Sequence, residues 1–341
     1  MKTKDIQIDI IRGLGIILVV LGHSHCPGTY YIYLFHMALF FILGGYCYKT
    51  NHTDTFKNFL KFSYKKIIRL YVPFVVLNTI LVLIDQFIFN RGMDTKWLFI
   101  TIANGFILNQ GSTLSGAFWF LKIMLLLLLT YGLIDYLLKR IWDSKKKTMI
   151  AHSILSVIFL SIGYICSRKG LILWGFDKVM SYYILFHMGR IFNEQAYPVI
   201  SHAKRIIIMT ASLATLIICR RFGNIDLDIN QYVNPLFLLI TSISGWLLIY
   251  EMAYYFSIPK WLSKPLSVIG TNTIAILAFH FLCFKGITYI QIIVYNLPKE
   301  TISAFPVLYN LPMWWALYTI AGLSIPVGIS LLYKRLIPHK K

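Results

Sequence analysis

The sequence predicts an all-α integral membrane protein with about ten transmembrane helices, both termini cytoplasmic and no soluble domain. Three observations predict it. The 341 residues are 57% hydrophobic and only 13% charged, whereas soluble domains carry about 25% charged residues. Mean hydropathy is +0.67, and apolar runs near the ~20 residues that cross a bilayer recur along the whole chain. Lys and Arg collect in the short loops between those runs, as the positive-inside rule requires. That placement also explains the formal charge of +20. Topology and contact with anionic membrane lipids account for it, so no nucleic-acid partner is expected.

The apolar runs fall at about 7–23, 30–48, 70–90, 116–138, 148–166, 171–192, 206–219, 233–256, 266–290 and 312–333. With the N-terminus inside, the inner loops receive most of the cations: Lys2 and Lys4, then Lys49 through Arg69, Lys139 through Lys147, and Lys334 to Lys341. The outer loops hold fewer, among them Arg91, Lys96, Arg220 and Arg221. Residues 97–110 are too short to count as a span and are placed as an interfacial or re-entrant segment on the outer side. Residues 1–341 form one polytopic domain, without repeats or low-complexity tracts. The first run is retained in the membrane, because Asp9 and Arg12 interrupt it and no small-residue cleavage site follows. Five cysteines lie in or beside apolar runs without C-x-x-C spacing, which reads as buried small residues.

Chemistry concentrates in residues 6–25, IQIDIIRGLGIILVVLGHSH. Arg12 and His23 are eleven positions apart. At 100° per residue they come within ~20° of one helical face, separated by ~16 Å along the axis. Asp9, three residues before Arg12, is placed to pair with it. Charge is costly in a bilayer, so such groups face the protein interior or a water-filled cavity and mark function. His36 opens the second run, level with His23, and Gly44 and Gly45 permit close helix approach.

Further landmarks follow in order. The basic stretch KKIIRLYVPF puts Lys65, Lys66 and Arg69 on one helical face, suited either to fixing topology or to gripping phosphates. FWFLK places Trp119 and Lys122 at an outer span end. SYYILFHMGRIF carries His187 and Arg190 toward an inner end, and SVIGTNTIAILAFHFLCFK carries Asn272 and His280.

Together these residues resemble bacterial membrane acyltransferase family 3, most nearly its fucose 4-O-acetylase-like sugar O-acetyltransferases. The likeness rests on D-x-x-R-G…G-H, the Arg-x10-His spacing of Arg12 and His23, FHMALFF-x-x-G-G-Y, and the later landmarks in the right order. The basic stretch departs from the family's Arg-x-x-Arg, reading Lys66-Ile-Ile-Arg69.

The resemblance implies a bacterial cytoplasmic-membrane enzyme. It moves an acetyl group from cytosolic acetyl-CoA to a hydroxyl of a surface polysaccharide or polyprenyl-linked sugar. The catalytic residues would be His23, Arg12, Asp9 and His36. Arg12, Lys65, Lys66 and Arg69 would bind the acyl-CoA, and Trp119, Lys122, Asn272 and His280 would line the acceptor cavity. His23 suits general-base catalysis or an acyl-carrying role, and Arg12 suits anion stabilisation.

Plainer readings stand beside these. Arg12 and His23 could be a structural polar pair, Trp119 an interfacial anchor, His25 a loop residue, and His187 and His280 satisfied interior groups. The histidines form no metal signature, so no metal is assigned. The rival function is a transporter or flippase of a polyprenyl-linked sugar; a membrane sensor without chemistry is a third.

Overall fold

Helices leave no backbone group unpaired in hydrocarbon, and helices carry most of the described chain. The structure is a computed structural model that describes residues 3–89, 92–195, 200–308 and 312–336. Lys2, Arg91, Lys340 and Lys341, and the side chain of Lys4, lie outside the described residues.

The opening hairpin comprises α1 (Thr3–His23), the short α2 (Thr29–Ile32) and α3 (His36–Tyr46). Next come α4 (Phe56–Lys66) and α5 (Val72–Phe87), joined without interruption by a π-turn at Ile67–Tyr71. The basic stretch is thus helical, and the third run starts well before residue 70. The segment placed at the interface contains α6 (Thr95–Phe106), 12 residues long and too short to cross. Then follow α7 (Trp119–Ile141), α8 (Lys145–Lys169), α9 (Phe176–Glu194) and α10 (His202–Cys219). A two-stranded antiparallel hairpin, β1 (Ile225–Asp226) and β2 (Gln231–Tyr232), leads to α11 (Pro235–Ser257). The predicted ninth run is broken at Asn272 into α12 (Lys260–Thr271) and α13 (Thr273–Tyr295), and α14 (Trp314–Leu336) follows.

Among the described residues nine stretches are long and apolar enough to cross a membrane, α2–α3 and α4–α5 each forming one. The remaining predicted run is α9. Asp177, Lys178, Arg190 and Glu194 keep its composition below that of a lipid-facing span. It packs instead against α3 and α8, and its 19 residues reach about 28 Å, enough to cross inside the bundle. The chain is therefore an all-α multi-pass membrane protein. The stretch Thr29–Tyr46 is 72% buried and His202–Cys219 only 17%, so α3 is central and α10 peripheral. Exposed Ile206, Ile207 and Leu213 on α10 would be anomalous in water but are ordinary against lipid.

Helix ends are closed locally. Ser144, Ser201 and Asn234 accept a hydrogen bond from the backbone N–H three residues on, satisfying a donor the helix leaves free. All five cysteines are free thiols.

Lipid supplies no hydrophobic drive between helices, so close contact must do so. Two crossings show it. A side chain at Gly13 would collide with the Leu266 carbonyl, and one at Gly270 with the Asp9 carbonyl, so α1 and α12 touch backbone to backbone. Likewise Gly45 meets the Phe186 carbonyl and Gly189 the Ile42 carbonyl, locking α3 to α9.

A buried ionic cluster stiffens the same region. Asp135 of α7, fully buried, receives Arg190 Nη1 at 2.7 Å, His152 Nε2 at 3.1 Å, Tyr48 at 3.2 Å and the Thr53 hydroxyl. Its carboxylate is saturated by protein donors, which is the condition under which a buried charge is tolerated. His187, bonded to Tyr131 at 2.9 Å and Ser153 at 3.0 Å, belongs to this framework.

Gly45→Val should cost about 1–3 kcal/mol or more by forcing α3 off α9. Gly286→Ala, in open space on α13, should be neutral or stabilising by up to about 1 kcal/mol. Thermal unfolding of both variants in detergent checks this; equal losses would disprove the crossing argument.

Candidate active site

Helix α1 carries two polar stations, one near each end. At its start, Arg12 Nη1 donates to Asp9 Oδ1 at 3.0 Å, and Nη2 donates to Cys47 Sγ at 3.6 Å across the contact with the end of α3. The pairing predicted for Asp9 and Arg12 is present. Arg12 keeps 32% of its side chain exposed, so it remains reachable. The charges of Lys66 and Arg69 act on the same thiol, and the π-turn carrying Arg69 is a device often found at functional sites. Lys65 is exposed, and its charge is felt at His52. Burial, together with Lys66, Lys49, Lys65 and Lys139, pulls the His52 imidazole below its ordinary value. This end of the bundle is a concentrated positive field.

At the other end of α1, His23 faces a cavity of about 330 Å³. The Tyr33 hydroxyl lies 3.5 Å from His23 Nδ1. The His280 ring stacks on the His23 ring at 5.4 Å, and Phe281 tilts against it at 4.8 Å. His36 is buried, and its Nδ1 lies 2.9 Å from the Ile32 carbonyl. A carbonyl only accepts, so Nδ1 carries the proton and Nε2 keeps its lone pair. The same reasoning fixes His280, whose Nδ1 lies 3.0 Å from the Ile276 carbonyl. Its buried Nε2 has no hydrogen-bond partner among the described residues.

The cavity is closed on one side by the β1–β2 hairpin, which contributes Asp226 and Asp228. The hairpin is pinned in place. Asp228 N–H donates to Asp226 Oδ1 at 3.0 Å, the Tyr182 hydroxyl donates to the Leu227 carbonyl at 2.6 Å, and Tyr232 pairs with Ser181 at 3.1 Å. Burial raises the Asp228 carboxyl above its ordinary range, opposed by Lys178 at 3.7 Å.

His23, His36 and Trp119 line the cavity together, and His280 backs His23. Lys122 and Asn272 do not line it. Lys122 reaches Asn109 Oδ1 at 3.2 Å and sits over the Trp174 ring at 4.6 Å. Asn272 lies next to the α1–α12 crossing, at the Arg12 end. Its Oδ1 accepts from Ser330 at 2.7 Å and Lys334 at 2.8 Å, tying the α12–α13 junction to the last turns of α14. Between the two stations, Ile16 and Val19 occupy the face shared by Arg12 and His23 and are 1% exposed. The stations are thus separated by packed apolar side chains.

Sequence reasoning missed Tyr33, Asp226 and Asp228. A signal existed for each. Tyr33 precedes His36 by three positions, and their rings pack at 4.9 Å. Asp226 and Asp228 sit two residues apart in a D-x-D at the tip of a loop, a spacing that favours a side-chain-to-backbone turn.

A bundle of spanning helices that buries imidazoles around a cavity, with a basic cluster at the opposite end, defines a multi-pass membrane protein with a polar station at each end of one helix. A family model described as an acyltransferase domain, Acyl_transf_3, matches residues 5–331. The chain belongs to membrane acyltransferase family 3. No curated protein and no solved structure matched it.

Asn272→Ala should cost about 1–3 kcal/mol of stability through three lost hydrogen bonds, to Ser330, Lys334 and the Val268 carbonyl, while leaving acyl-transfer KM values within about twofold. A large change in acceptor KM with unchanged unfolding would return Asn272 to the cavity.

Proposed function

We propose that this acyltransferase moves acetyl from acetyl-CoA to a sugar hydroxyl of a surface polysaccharide or a polyprenyl-linked precursor, in the manner of the fucose 4-O-acetylase-like members of its family. The membrane is the bacterial cytoplasmic membrane, with both termini and the Arg12 end in the cytosol and the His23 cavity opening outward. The observation that carries this reading is one helix bearing a reachable cation at one end and a cavity-lining imidazole at the other. Arg12, Lys66 and Arg69 suit the phosphates of CoA, with Lys65 adding to the field that draws the donor in. The ~16 Å between the stations matches the reach required of an extended thioester arm. Entry of that arm parts Ile16 and Val19.

At the cavity, His23 accepts the proton of the acceptor hydroxyl as its oxygen attacks the thioester carbonyl carbon. The carbon–sulfur bond breaks, the carbonyl is restored, and the CoA thiolate takes up a proton. Tyr33 and His280 hold the His23 ring for this role. The lone pair of His36 Nε2 accepts a second acceptor hydroxyl, and Trp119 offers a face for stacking the sugar. Arg12, held by Asp9 at 3.0 Å and ~16 Å from His23 along the helix, serves the donor's phosphates and not the reacting carbonyl. The proposed chemistry needs no metal.

Purified protein in nanodiscs, supplied with radiolabelled acetyl-CoA and envelope glycans, should form an alkali-labile ester. His23→Ala should lower the rate by about 10²–10⁴-fold, the usual contribution of a positioned acid–base group. Lys66→Ala should raise KM for acetyl-CoA with kcat nearly unchanged, the signature of binding made equally before and in the transition state. Full activity in His23→Ala would reject the mechanism.

A further inference from the structure

The charge inside the cavity runs opposite to the charge of the chain. The protein holds 33 Lys and Arg against 13 Asp and Glu. Yet two of those acids, Asp226 and Asp228, line the His23 cavity, and no Lys or Arg lines it among the described residues. Lys178, outside the lining, is taken up by Asp228 at 3.7 Å and by the Trp119 face at 5.7 Å. Both carboxylates line the same cavity as Tyr33, whose hydroxyl approaches His23 at 3.5 Å. The acids therefore stand beside the reacting position, on a pinned hairpin and not on a mobile tip. Facing them are aromatic side chains, Trp119, Phe281 and Phe305. Carboxylates accept hydrogen bonds from hydroxyls, and aromatic faces stack on the apolar face of a sugar ring. A volume of about 330 Å³ lies at the small end of ligand pockets, suited to one ring unit and not to a long oligosaccharide.

We propose that Asp226 and Asp228 make the acceptor site selective by charge: the sugar unit that enters carries hydroxyls and no carboxylate or phosphate. This rests on the acetyl-transfer reading above and deepens it. One consequence concerns a polyprenyl-linked acceptor. Its phosphates must stay outside the cavity, so the acetylated unit is one distal to the lipid linkage. An anionic unit would meet two carboxylates at short range, a juxtaposition that ordinarily costs enough to exclude the wrong partner.

The test uses full-length protein in nanodiscs with radiolabelled acetyl-CoA. Envelope glycans of cells expressing it are partly hydrolysed and separated by ion exchange into neutral, amino-bearing and acidic oligosaccharides. Each fraction is offered at equal sugar concentration. Label should enter neutral or amino-bearing material at least about tenfold faster than acidic material at low salt, with the ratio shrinking as salt screens the acids. In the double variant Asp226→Asn, Asp228→Asn the ratio should collapse toward one. The amide oxygen introduced at position 226 would still accept from the backbone N–H of residue 228, so the turn is kept. Lys178→Gln, which removes the neutralising cation at a residue that does not itself line the cavity, should move the ratio the other way and sharpen the preference. Preference for acidic oligosaccharides, or a ratio unmoved in both variants, overturns the proposal while leaving acetyl transfer standing. Label in no fraction overturns the acetyl-transfer reading and this inference with it.

Discussion

Contact of backbone against backbone is what the rest of this structure depends on. Helices surrounded by lipid gain nothing from hiding apolar side chains from one another, so association needs atoms brought unusually near. Gly13 against α12 and Gly45 against α9 supply that nearness. Both crossings lie within a few residues of the Arg12 station: Gly13 follows Arg12 directly, and Gly45 precedes Cys47, the thiol that Arg12 reaches. The glycine of the D-x-x-R-G motif is thus a packing requirement that positions the arginine before it.

Polarity in the interior is handled in two distinct ways. Around Asp135, donors saturate a carboxylate and leave nothing for a ligand. Around His23, the opposite holds: an imidazole of intermediate exposure and a phenol at the limit of hydrogen-bond distance line open space, backed by a His280 nitrogen without a hydrogen-bond partner among the described residues. Buried polar groups are ordinarily satisfied, and incomplete satisfaction beside a cavity is where a substrate fits. This contrast separates framework from site more sharply than histidine content does, since both regions are rich in histidine.

Much of this was legible in the residues alone. Hydropathy located the helices because the bilayer allows few alternatives, and the spacing of Arg12 and His23 placed both on one face. Two boundaries were misread for physical reasons. Asn272 breaks an apolar run without a proline or a charge to announce it, and its side chain is claimed by Ser330 and Lys334, some sixty residues onward, a tertiary link that local pattern does not record. The third run begins at Phe56 and not near residue 70, because the lysines of α4 hide it from hydropathy while the π-turn at Ile67–Tyr71 carries the helix on into α5. Lys122 was grouped with Trp119 because they are close in sequence; three positions on a helix were enough to send one to the cavity and the other to Trp174. The acidic hairpin went unread because short loops between spans look alike, and only folding puts 226 and 228 opposite 23 and 36.

The packed stretch at Ile16 and Val19 has a bearing on bioenergetics. An open conduit between the Arg12 end and the His23 cavity would let water chains form and carry protons along the bundle. Two branched aliphatic side chains, each 1% exposed, fill that route with hydrocarbon in the resting protein. A multi-pass protein with a polar station at each end of one helix can in this way remain electrically tight.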